Sequence, residues 1–188
     1  MPADGFMVSL ALIHYPVYNK GGDVIASAVS NLDLHDIARA AKTYGIEKVY
    51  VVTPLLDQQS LVKRIVGHWT AGAGGRYNPD RKKALELIRL AGCLDEVITA
   101  LESRGQGRPI VVATDARPQA GGIGFSDCYQ MLKSGRPVLM LFGTAWGLAH
   151  PVIRAADYIL EPIFGPTDYN HLPVRSAVAI VLDRFFGH

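Results

Sequence analysis

Apolar side chains fall in two rhythms along this chain. Runs that are apolar almost throughout, as strands covered on both faces of a parallel sheet must be, occupy residues 6–14, 47–53, 110–114, 137–142 and 158–160. Between them, apolar positions recur at helical spacing. Leu61, Val62, Ile65, Val66 and Trp69 mark a helix over 57–70, and further helices are expected over 94–104, 127–133 and 174–186, with a helical turn at 150–156. Asp33, His35 and Asp36 offer short polar side chains to cap a helix that runs to Tyr44 and stops at Gly45. Leu85, Leu87 and Leu90 suit a strand as well as a helix; a strand over 84–91 is assigned because the alternation needs one before the next helix. Residues 71–81, with Gly72, Gly74, Gly75 and Pro79, read as a mobile surface loop, and 115–124 as a glycine-rich one. The alternation predicts an α/β fold: a mostly parallel sheet sandwiched by helices.

At 188 residues, positions 1–188 are expected to form a single domain. Apolar residues at 49% against 19% charged make the chain oily enough to suggest a further buried surface between subunits. A net charge of +2 announces no global field for nucleic acid, so any such site must be local. The first 18 residues lack the basic stretch and cleavage pattern of a leader, and the run 137–153 is too broken for a membrane span. A cytoplasmic protein is expected. Cys93 and Cys128 are far apart in sequence and read as buried thiols, and the histidine spacings support no metal site.

Open α/β sheets bind ligands beyond the carboxyl ends of their strands. Three loops in that position are unusual: Thr114, Asp115 and onward to Gly124; Phe142-Gly-Thr-Ala-Trp-Gly-Leu148; and the proline-stiffened stretch from Leu160, Glu161 and Pro162 to Asn170, His171, Leu172 and Pro173. Glycines let a backbone approach a flat ligand, beside which Trp146 would either stack or plug. No phosphate-binding G-x-x-x-x-G-K, no dinucleotide fingerprint and no G-x-S-x-G elbow is present.

Three segments then carry a family resemblance. Asn31-Leu-Asp-Leu-His-Asp-Ile-Ala-Arg39 followed by Tyr44-Gly45-Ile46 looks like the first motif of the SPOUT superfamily of knotted RNA methyltransferases. Phe142 to Leu148 resembles the second motif, and Asn170-His-Leu-Pro-Val-Arg-Ser-Ala177 the third. The ordered set spans nearly the whole chain. It is most similar to the family of SAM-dependent RNA methyltransferases that also resembles a domain attached to the tRNA guanine-N1 methyltransferase of some bacteria.

The resemblance implies a C-terminal trefoil knot, against the usual unknotted rule, a homodimer, and S-adenosylmethionine held between the three loops. The implied cofactor-binding residues are Thr114, Asp115, Phe142, Gly143, Thr144, Trp146, Gly147, Leu160, Glu161, Pro162, Asn170, His171, Leu172 and Ser176. Arg39 matches the arginine of the first motif and would orient an RNA phosphate or assist deprotonation, with Asp33 and Asn31 beside it. The ribose-methylating branch has asparagine where Asp33 stands and a glutamate where the second motif shows Thr144 and Ala145, so ribose 2′-O and base nitrogen both remain as targets. Cap residues remain the other reading of Asp33, His35 and Asp36.

Between Lys63 and Lys83, six basic residues (Lys63, Arg64, Arg76, Arg81, Lys82, Lys83) face one acid, Asp80, a local net of +5. With Trp69 and Tyr77 interleaved, the segment is expected to contact RNA, a solvated surface being the alternative. The implied function is methylation of tRNA or rRNA; the alternative is an RNA-binding or regulatory module that binds the cofactor without turnover.

Overall fold

The computed structural model describes residues 6–187. Residues 1–5, on which part of the leader reading falls, lie outside the described residues. Six strands form one sheet in the order β5-β4-β1-β7-β6-β8: β1 (Val8–Ile13), β4 (Lys48–Val52), β5 (Ile88–Ala91), β6 (Ile110–Thr114), β7 (Val138–Gly143) and β8 (Tyr158–Leu160). Every pairing in it is parallel. The six side chains of β1 are all buried, which explains its unbroken apolar run.

Alternate residues of the strands feed two cores. Leu10 and Leu12 pack under α1 (Asn31–Thr43), α6 (Phe125–Leu132) and α8 (Val174–Phe186), through Ile37, Cys128, Leu132, Val181 and Phe185. Ala11 and Ile13 turn to the other face, under α5 (Leu94–Leu101) and α7 (His150–Ala155). A third cluster joins Leu34 and Ala38 of α1 to Val62 of α2 (Leu56–Thr70) and Leu85 of α4 (Pro79–Leu85).

Several expectations are corrected here. Residues 71–81 are not a mobile loop: they form the short helix α3 (Ala73–Tyr77) and the start of α4. Gly74 and Gly75 are buried against His68 and Trp69, so their missing side chains permit close packing rather than mobility. Asn78 Oδ1 accepts from Arg81 N at 2.9 Å and Pro79 opens α4, a capped helix start written in the sequence. The strand assigned to 84–91 begins only at Ile88, because α4 runs through Leu85. Asp33, His35 and Asp36 do not cap α1, which starts at Asn31 behind Ser30. Cys93 is exposed where the chain leaves β5 for α5; only Cys128 is buried, its thiol pushed up to about 12 by burial.

A two-stranded hairpin, β2 (Val17–Tyr18) and β3 (Val24–Ile25), leaves β1 and was not expected. It folds back onto the loop after β7, with Tyr18 N donating to Gly147 O and Trp146 N to Tyr18 O, both at 3.0 Å.

Candidate functional site

Neighbouring β7, β6 and β8 run parallel and end together, and the loops leaving them enclose a cleft of about 630 Å³. After β6, Thr114 and Asp115 line it. Thr114 Oγ1 donates to Leu141 O at 2.9 Å, tying the strand end to β7. Asp115 accepts from Arg117 N at 3.0 Å and from Gln119 Nε2 at 2.7 Å, which curls its loop over the strand.

After β7, Phe142, Gly143, Thr144, Trp146 and Gly147 line the same cleft. A Cβ on Gly143 would lie 2.6 Å from Leu148 N, so glycine is what lets the loop fold flat on its own strand. Gly147 N donates to Thr144 O at 3.0 Å, and the turn is completed by Gly147 at φ 98° and Ala145 at φ 51°. Ala145 takes up this conformation without a glycine's freedom.

After β8, Leu160, Glu161, Asn170, His171 and Leu172 form the facing wall. Glu161 Oε1 accepts from Phe125 N at 3.0 Å, and Asn170 Nδ2 donates to Ala116 O at 2.6 Å, pinning the third loop to the first. Pro162 and Ser176 are not among the lining residues. Pro162 is buried behind them and Ser176 is half-buried on α8.

Asp33 reaches the cleft from α1 and is paired there: Arg175 Nη1 lies 3.2 Å from its Oδ1, while Arg175 Nε is 3.6 Å from Asp36 Oδ2. The first turns of α1 and α8 are thereby joined across the opening. Asn31 and Arg39 are exposed and line no part of the cleft.

Ser27, Ile163, Arg175 and Val181 line the cleft without having been expected to. Ile163 and Arg175 fall within segments singled out in the sequence, the loop after β8 and the third motif, whereas nothing local marks Ser27 or Val181, which arrive by tertiary placement. Ser27 Oγ hydrogen-bonds Thr144 Oγ1 and sits 2.9 Å from Nδ1 of buried His14. Burial lowers the His14 pKa to about 4, so this imidazole is neutral at physiological pH.

The basic segment lies across α2 to α4, on the far flank of α1. Lys63, Arg64, Arg76 and Tyr77 are exposed. Lys83 pairs with Asp80 at 2.9 Å, and Lys82 lies 3.9 Å from Glu86. Trp69 is half-buried rather than a bare stacking surface: the Arg81 guanidinium sits 4.7 Å over its ring, and His35 and His68 meet it edge-on. Burial, then Arg81, holds the His35 pKa below the usual imidazole range.

A cleft at the carboxyl edge of a parallel sheet, walled by backbone turns, apolar side chains and a few charged groups, is where an α/β domain of this kind holds a small ligand. Residues 7–187 match the family model for SAM-dependent RNA methyltransferases, and the chain belongs to that family. It is 47% identical over 177 residues to a tRNA (guanine-N(1)-)-methyltransferase of Oleidesulfovibrio alaskensis, covering 94% of this chain and 41% of that protein. The chain thus spans about two fifths of that relative's length. A protein of Aquifex aeolicus is 43% identical over 181 residues, covering 96% of this chain and 88% of the other.

Among solved structures, a methylase-family protein from Neisseria gonorrhoeae superposes with a TM-score of 0.67 at 18% identity, over 99% of this chain and 84% of that one. The SpoU methyltransferase AviRb of Streptomyces viridochromogenes, in complex with AdoMet, gives 0.58 at 18% identity, over 97% and 60%. The chain thus shares its α/β fold with these solved structures, a SpoU methyltransferase among them.

The residues present fit S-adenosylmethionine. Ile163 and Leu172 would offer apolar surface to a purine and the Glu161 carboxylate would accept from ribose hydroxyls or an ammonium group, while Asp115, its side chain 3% exposed and both oxygens already accepting, shapes the loop.

Proposed function

We propose that this chain methylates RNA, tRNA being the substrate class, as a cytoplasmic homodimer in which residues 1–188 act as one domain. The observation that carries the reading is the meeting of three strand-exit loops around one cleft in a member of this family. That the 47% identical relative is a tRNA (guanine-N(1)-)-methyltransferase supports tRNA.

When bound, the cofactor supplies an electrophilic methyl group. The chain's part is positional: methyl transfer needs nucleophile, carbon and leaving sulfur in line, and little covalent assistance. The glycine-built turn at Gly143 and Gly147 and the wall from Leu160 to Leu172 hold and enclose the ligand, excluding water. Asp33, kept in place by Arg175, sets the polar edge of the cleft. Arg39 orients an RNA phosphate or assists removal of the acceptor's proton. Its exposed position outside its own chain's cleft supports a role at the cleft of a second subunit.

A trefoil knot is part of the same proposal. In its support, β7 inserts between β1 and β6, after which the chain passes back over β6 to lay β8 on the far side. A base nitrogen is the favoured acceptor: Ala145 leaves the second loop without the carboxylate of the ribose-methylating branch, and Asp33 is engaged by Arg175.

Calorimetric titration with S-adenosylmethionine, together with mass spectrometry of RNA nucleosides from wild-type and deletion cells, tests the proposal. Binding accompanied by loss of one methylated nucleoside is expected. Binding with an unchanged nucleoside profile would assign a cofactor-dependent RNA-binding role instead, and no binding would remove the reading.

A further inference from the structure

A second hollow, of about 380 Å³, adjoins the cleft and shares a wall with it: Trp146 and Arg117 line both. The rest is contributed by the β2–β3 hairpin and the start of α7, with Tyr18, Lys20 and His150 as its principal side chains. None of its lining residues is acidic. Asp115 stands behind Arg117, 3.6 Å from its Nε, and anchors the guanidinium at the boundary while 62% of that side chain remains exposed. Asp23, at the return of the hairpin, is occupied by Asn19 Nδ2 at 3.0 Å.

This corner is built rather than incidental. Besides its two backbone bonds to the loop after β7, Tyr18 accepts from His150 N at its hydroxyl, 3.1 Å away, and meets the His150 ring edge-on at 5.4 Å. The hairpin, the glycine turn and the start of α7 therefore hold one another. On that frame Trp146 is 52% exposed, an indole face kept in water by a rigid loop. An exposed aromatic face flanked by Lys20 and Arg117 matches the two parts of a nucleotide: a base that stacks and a phosphate that takes cations. The exposure of Lys20, Gly22 and His150 leaves room for a polymer to enter and leave.

We propose that this hollow holds a nucleotide of the RNA flanking the one that is methylated, its base on Trp146 and its phosphate between Lys20 and Arg117. The shared wall sets a nucleotide there beside whatever occupies the cleft, on the other side of Trp146 and Arg117. The inference rests on the RNA reading above and adds to it a site separate from the basic segment of α2 to α4.

The test measures binding of total bacterial tRNA by anisotropy over a series of salt concentrations, beside S-adenosylmethionine affinity by calorimetry. Lys20→Glu is expected to weaken tRNA binding about tenfold and to reduce the log–log salt slope by about 0.7–0.9, one phosphate's share. Lys20→Arg should restore both. Trp146→Ala should weaken tRNA binding by about tenfold with the slope unchanged, since stacking releases no counterions, and Trp146→Phe should recover most of it. Lys20 is outside the cleft, so Lys20→Glu leaves cofactor affinity as it was. If wild type binds the cofactor but no tRNA even at low salt, the RNA reading fails and this site with it. If wild type binds tRNA and only charge reversal at Lys63 and Lys83 alters the slope, the hollow alone is overturned.

Discussion

His14 Nδ1 donates to Ser27 Oγ across 2.9 Å, and hydrogen counting sets that direction. Thr144 Oγ1 gives its only proton to Ile13 O at 3.0 Å, so in its contact with Ser27 it accepts. Ser27 has then spent its own proton and must accept from His14. The imidazole is left with a bare, buried Nε2 that finds no partner among the described residues. A bare acceptor is the tolerable form of that vacancy; a charged ring would bury an unpaired N–H.

A pH dependence follows from this chain of bonds. The His14 pKa falls from 6.5 unfolded to about 4 folded, so between those values the unfolded state binds more protons. The contribution is intact above pH 6.5 and is lost as pH falls toward 4, to the extent of about 3 kcal/mol. Urea unfolding of wild type and His14→Gln at pH 7, 5.5 and 4.5 should show a gap in stability that narrows on acidification. His35 shifts in the same direction and is common to both proteins, so it cancels in the difference. A gap that stays constant would remove His14 as the source.

Arg175→Ala should leave the Asp33 carboxylate, whose side chain is 13% exposed, without its partner at the rim of the cleft. A loss of about 1–3 kcal/mol is expected in urea unfolding. Arg175→Lys should recover part of it, because one Nζ cannot meet both Asp33 and Asp36 in the guanidinium's geometry. A double cycle with Asp33→Asn measures the coupling.

The contrast between Arg175 and the loops shows which part of the site was legible in the sequence. Gly143, Gly147 and the prolines around Leu172 announce a shaped cleft locally, because turn chemistry is local. Arg175 and Asp33 are 142 residues apart, and no window of sequence contains both. The central strands were legible because burial on two faces forces an unbroken apolar run. The β2–β3 hairpin has two residues per strand, too few to show any period. The helices at residues 73–85 were hidden by their glycines, although Asn78-Pro79 carried the start signal for α4.

Gly143 and Gly147 should fail for different reasons when replaced. Gly143→Val puts carbon against Leu148 N and must lift the loop from β7, abolishing S-adenosylmethionine binding in calorimetry. Gly147 has open space around its missing side chain but sits at φ 98°. Gly147→Ala should therefore cost about 1–2 kcal/mol of stability through backbone strain, with weakened rather than absent binding. Unchanged affinity in both variants would rule the cleft out as the cofactor site.

The basic segment is best probed away from Trp69. Arg81 is packed over that ring, so its replacement would disturb α2 and α4 as well as charge. Lys63→Glu with Arg64→Glu alters two exposed residues of α2 and should weaken tRNA binding, flattening its salt dependence by about 1.4–1.8 in slope while sparing cofactor affinity. An unaltered slope would make the segment a solvated surface.

Arg39 supplies a test of the dimer and the site together. If it serves the cleft of the partner subunit, Arg39→Ala should bind S-adenosylmethionine normally and lose methyl transfer. Gly143→Val should fail already at cofactor binding. Each homodimer is then inactive for its own reason. Exchange of subunits between the two produces heterodimers in which one cleft carries both lesions and the other carries neither, because a two-fold interface pairs each Arg39 with the opposite cleft. Methyl transfer per heterodimer should return to about half that of wild type, one of two equivalent sites being whole. The measurement is incorporation of labelled methyl into total tRNA from deletion cells, with exchange verified by differently tagged chains. If Arg39 acts within its own chain, every cleft in the heterodimer keeps one lesion and no activity returns.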